Sequence, residues 1–189
     1  MIRIPRQVLG LAVLVFAVSC ATQSTYIRHD SVAKTEQFSD TDIRLFAETM
    51  VNSLLESDIV KERADKPVLA MAGIQNRTME HIDTRAIDNS VQTVLLKSGK
   101  FRFVDRDVVQ RMAQERAMVD LQRIDVGDAV KLGGAVGAEY FLLGQLTSVD
   151  VKQGRQAIHQ KKLTMRVVDV TTSEVMWMDE KEIKKVGRP

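Results

Sequence analysis

PVLAMAGIQNRTMEHIDTRAIDNSVQTVLLKSGKFRFVDR, residues Pro67 to Arg106, changes its hydrophobic pattern twice, and those changes decide the fold. Val68 to Ile74 is a short apolar run behind a proline, the pattern of a strand buried on both faces. The polar stretch QNRTMEHID follows as a permissive loop. From Thr84, read as the helix cap, Ile87, Val91, Val94 and Leu95 recur at helical spacing, and Gly99 stands just past the end. KFRFVDR then alternates as a second strand. Strand, helix, strand is a βαβ unit, so the two strands are predicted parallel with a right-handed crossover.

Upstream, SDTDIRLFAETMVNSLLES starts a helix at Ser39 or Asp40, with Ile43, Phe46, Ala47, Met50, Val51, Leu54 and Leu55 on one face. Downstream, DRDVVQRMAQERAMVD is a third helix with Val108, Val109 and Met112 inward. DVGDAVKLGGAVGA is a fourth, short and rich in small residues. EYFLLGQLTSVDV, AIHQKKLTMRVVDV and EVMWMDEKEI read as a short antiparallel meander, its last two strands joined by the tight TTS. Trp177 is assigned to the core with Val175. The fold class is α/β in the α+β sense: a single domain with a mixed sheet of about five strands, helices packed against it, and element order αβαβααβββ.

The amino terminus is a different kind of segment. Arg3 and Arg6 precede an apolar run from Val8 to Val18, and Ser19 leads into Cys20, the only cysteine in the chain. Basic start, short apolar core and small-residue exit make a secretory signal. The run is about half the ~20 residues that a membrane-spanning helix needs. Ala17-Val18-Ser19-Cys20 resembles the bacterial lipobox, with alanine where leucine is usual. The alternative is an ordinary cleaved signal with a chance cysteine nearby. The expected organisation is a signal peptide at 1–19, cut between Ser19 and Cys20, a lipidated flexible tether at 20–38, and a globular domain at 39–189. Ala21 rather than aspartate after Cys20 favours the outer membrane, with the domain facing the periplasm. From Cys20 to Ser39 the tether reaches at most about 70 Å when extended, and averages about 25 Å as a coil.

Charge excludes one class of partner. The chain has 27 basic and 25 acidic residues. Two of the arginines lie in 1–19, which has no acid, so 25 of each sign remain beyond it. A nucleic-acid binder is expected to be basic. Catalytic and metal signatures are also missing. His29, His81 and His159 are scattered, and neither H-E-x-x-H nor G-x-S-x-G occurs. GGAVGA precedes a strand instead of following one, so it reads as close helix packing and not as a nucleotide loop. The expectation is no enzyme, no cofactor, no metal and no small-molecule substrate.

Two places carry recognition potential. One is the QNRTMEHID loop, where Asn76, Arg77, Thr78 and His81 are candidate partner contacts. The other is the acid-free stretch of the meander with Lys152, Arg155, Lys161, Lys162 and Arg166. Lys161 and Lys162 are its candidates for an acidic partner surface, against the plainer reading of a solvated hairpin.

Together, the lipobox, DIRLFAETMVNSLL, PVLAMAGIQNRTMEHIDTR, LLKSGKFRFVDR, GAEYFLLGQL and LTMRVVDVTTSEVMWMDE resemble the LpoB family of penicillin-binding-protein activators. The resemblance spans about Ser39 to Ile183. It implies an outer-membrane lipoprotein that docks on a class A penicillin-binding protein and activates this peptidoglycan synthase allosterically. It carries over lipidation to Cys20 and interface candidacy to the loop. The tether is short for such a family. A structural or secretion-channel lipoprotein related to the curli-export family is the alternative, which long amphipathic strands would favour.

Overall fold

The computed structural model describes residues 38–117, 121, 124–153 and 156–187. The signal peptide, Cys20 and the tether of the sequence reading lie outside them. Strand β1 (Val68–Asn76) runs parallel to β2 (Arg102–Phe103) on one side and to β3 (Tyr140–Gln153) on the other. Strands β4 (Gln156–Asp169) and β5 (Val175–Gly187) extend the sheet antiparallel, in the order β2-β1-β3-β4-β5. The mixed five-stranded sheet and its parallel βαβ start are those the sequence predicts.

Among the described residues, five helices pack on this sheet: α1 (Asp40–Leu55), α2 (Asp58–Lys61), α3 (Thr84–Ser98), α4 (Arg106–Glu115) and α5 (Val126–Ala135). The single turn α2 was not anticipated. Helices α1 and α3 bury their apolar stripes on one face of the sheet, where Phe46, Met50, Leu54, Ile87, Val91 and Leu95 meet Leu69, Leu142, Leu146 and Leu163. On the other face Val109, Ala113, Ala129 and Leu132 cover Ala70, Ala72, Phe141 and Val168. Gly133 lets α5 lie close: a Cβ there would stand 2.5 Å from Val170 Cγ2 and 3.2 Å from Phe141 Cδ2.

Several local expectations are corrected. Asp83, not Thr84, caps α3, accepting a hydrogen bond from the Arg85 amide, and Thr84 is buried as the first helical residue. KFRFVDR contributes only two strand residues, because Asp105 caps α4 through the Asp107 amide and ends the extended backbone. Trp177 is half-buried against the core, its Nε1 donating to Ser53 Oγ at 3.4 Å, whereas Val175 is 50% exposed.

The meander is not short. Its strands have 14, 14 and 13 residues, more than twice the ~5–6 typical of a strand. Strand β1 pairs with β3 only as far as Asn76 opposite Leu146, so Thr147–Gln153 run on without it, an arm of about 23 Å at ~3.3 Å per residue. On one side of the arm Lys185 pairs with Asp42, which also accepts from the Ser39 amide and hydroxyl at the start of α1. Phe38, where the described chain begins, lines a small recess there with His159, Lys161 and Ile183. Among the described residues, no helix is long and apolar enough to cross a membrane.

Candidate partner-binding loop

The segment between β1 and α3 leaves the C-terminal end of a buried strand, and its polar side chains are spent on its own backbone. Asn76 Oδ1 accepts from the Thr78 amide at 3.0 Å and from its hydroxyl at 2.7 Å. Asn76 Nδ2 donates to the Glu80 carbonyl at 2.9 Å, and the Glu80 amide donates back to Thr78 Oγ1 at 3.2 Å. The Arg77 amide reaches the Leu146 carbonyl at 2.8 Å, extending the β1–β3 ladder by one residue. This is an Asx turn locked by a second hydroxyl turn. The loop is therefore tied, not permissive, and Asn76 and Thr78 are its frame.

Lys161 completes the frame from below. It is 6% exposed, on the α1 and α3 side of β4, and its Nζ donates to Glu80 Oε1 at 2.6 Å. The sequence reading took Lys161 as an exposed contact; the structure makes it a buried strut holding the loop to the sheet. A buried ammonium is tolerated only with its partner in place. Strand alternation puts the next residue on the opposite face. There Lys162 pairs with Glu180 at 3.1 Å and lines an open groove of about 430 Å³ with Thr164, Arg166 and Met178. The two lysines do not form one patch.

What the loop shows outward is Arg77, Met79, Glu80, His81, Asp83 and Arg85, all exposed. Met79, at the apex, is 98% exposed, while the other exposed large apolar side chains among the described residues are 60% or less. Arg77 Nε is held by Gln75 Oε1 at 3.2 Å, and His81 has no hydrogen-bond partner among the described residues. Sequence reasoning named Arg77 and His81 but missed Met79, Glu80 as the partner of Lys161, and Arg85. A lone apolar residue inside NRTMEHID was the available signal for Met79. No group of three or more His, Cys, Asp or Glu among the described residues is placed to hold a metal. The side chains of Lys152 and Arg155 lie outside the described set.

The model of a protein family described as peptidoglycan-synthase activator LpoB matches residues 42–183, which takes in α1 and everything through most of β5. The chain belongs to the LpoB family. Structural likeness agrees with membership at the level of fold. The LpoB C-terminal domain from Escherichia coli superposes with a TM-score of 0.60 at 20% identity, over 75% of this chain and 98% of that one. The Salmonella enterica domain gives 0.60 at 19%, with the same coverage. Lipoprotein GNA1162 from Neisseria meningitidis gives 0.50 at 14%, over 64% and 83%. No individual curated protein matches the sequence. Within the LpoB domain the loop sits between the first strand and the helix of the βαβ unit, at the carboxyl end of a parallel strand where open α/β sheets place ligands.

Proposed function

We propose that this LpoB-family chain is a lipid-anchored outer-membrane protein facing the periplasm, held through Cys20. It docks on a class A penicillin-binding protein and raises its glycan polymerisation without doing chemistry itself. The family match across α1 to β5 supports the reading. The observation that carries the contact surface is the tied loop, which offers Arg77 and His81 outward from a rigid frame of Asn76, Thr78 and Lys161. A rigid epitope has little freedom left to lose on binding. Activation follows if the loop binds the active state of the synthase more tightly than the resting state; about 1–3 kcal/mol of difference gives roughly five- to 150-fold.

The test is reconstitution. The chain from residue 20 onward, carrying Cys20→Ser, should bind a class A synthase of its own source and increase its polymerisation rate. Absence of both would end the activator reading. A secretion component is the second reading, and the 14-, 14- and 13-residue strands speak for it. A closed ring in sedimentation experiments at physiological concentration would favour it.

A further inference from the structure

Met79 has a use that the activator reading does not supply. We propose that Met79 is the apolar anchor of the docking surface, and that the partner offers it an apolar socket with an acidic rim. This rests on the loop being the contact face. Single exposed apolar residues are ordinary on protein surfaces, and those of β3 and β5 are half-covered by their neighbours. Met79 differs by standing 98% exposed, so the fold gains no burial from it. The loop beneath it is fixed by the Asn76, Thr78 and Lys161 bonds, so the thioether is presented with its backbone already ordered. A methionine side chain, unbranched and polarizable, adapts to an apolar socket better than a branched one.

The rim follows from charge. Arg77 and Arg85 flank the apex with no carboxylate on either among the described residues. Of the two acids exposed on the loop, Glu80 is ion-paired with Lys161, whereas Asp83 accepts only the neutral Arg85 amide and keeps its charge, one negative against the two arginines. Among these groups the uncompensated charge at the apex is positive, so acidic side chains around the socket complement it and speed encounter.

The experiment uses the full-length protein and a class A synthase from its source, both in detergent. Met79→Ser should weaken binding roughly ten- to 100-fold, the range that full burial of such a side chain commands. Met79→Leu should stay within about threefold. Arg77→Glu should slow association and flatten its dependence on salt. The methyl resonance of Met79 should shift on adding the synthase, which a merely structural residue would not show. Unchanged affinity in Met79→Ser, with wild-type binding intact, overturns the anchor and leaves the activator reading standing. Failure of the wild-type protein to bind at all overturns both.

Discussion

Asp88, on the buried face of α3, is 4% exposed and lies against the Gly73 bulge of β1. One carboxylate oxygen lies 3.3 Å from Arg106 Nη1; the other, Oδ1, has no hydrogen-bond partner among the described residues. Burial pushes the carboxyl up to about 6, against the opposing pull of the Arg106 guanidinium and the Ile74 amide, with Asp83 adding a smaller push upward. The folded state then holds a proton that the unfolded chain has released, so this group's contribution to stability rises as pH falls from 6 towards 4. Denaturant titrations should show wild type gaining about 2 kcal/mol relative to Asp88→Asn between pH 7 and 4.5. Lys161 makes a second residue-level case. Lys161→Ala should leave Glu80 without its strut, cost roughly 1–3 kcal/mol, and speed amide exchange at Thr78 and Glu80. Neither role was legible in the sequence. Asp88 reads as one polar residue on a helix, and the partners Glu80 and Lys161 are 81 positions apart.

Elements were more legible than residues, because period and punctuation are local signals. Phe46, Met50, Val51 and Leu54 mark α1, and Gly99 at φ 66° ends α3 as a left-handed residue. The strand spans of the meander were also readable, Ser148, Asp150 and Lys162 included; that β3 and β4 run on past the end of β1 was not, because which strands pair, and how far, is not a local signal. Helix α5 is testable through Gly133. In an exposed helix interior, alanine for glycine stabilises. Here the added methyl meets Val170 and Phe141, so Gly133→Ala should destabilise by about 1–3 kcal/mol and lower the melting temperature. Strand β5 is the long outer edge of the sheet, with Asp179, Glu180, Lys181, Glu182, Lys184 and Lys185 along it. Charges of this kind keep edges from pairing with other chains. Replacing Lys181, Glu182 and Lys184 with threonine should produce concentration-dependent association in analytical ultracentrifugation.

For the whole molecule, function depends on where it is held. If Cys20 carries the lipid, Cys20→Ser should move the protein from the membrane to the soluble fraction, and intact mass should lose the acyl groups. If residues 20–38 are the flexible tether that the sequence predicts, a coil of about 25 Å would leave the domain close to its anchor, and lengthening that segment should improve activity in cells and leave the purified reaction unchanged. The way the arm is fastened bears on what happens under tension. Phe38 rests beside Lys161, and Lys161 grips Glu80 in the loop. A pull entering at Phe38 and resisted by a partner at the loop therefore divides between β4, through Lys161, and the core on the α1 side, where the Phe38 ring stands 5.8 Å from that of Phe46. Under such a load the domain is held at two places at once, the Phe38–Phe46 contact and the Lys161–Glu80 bond.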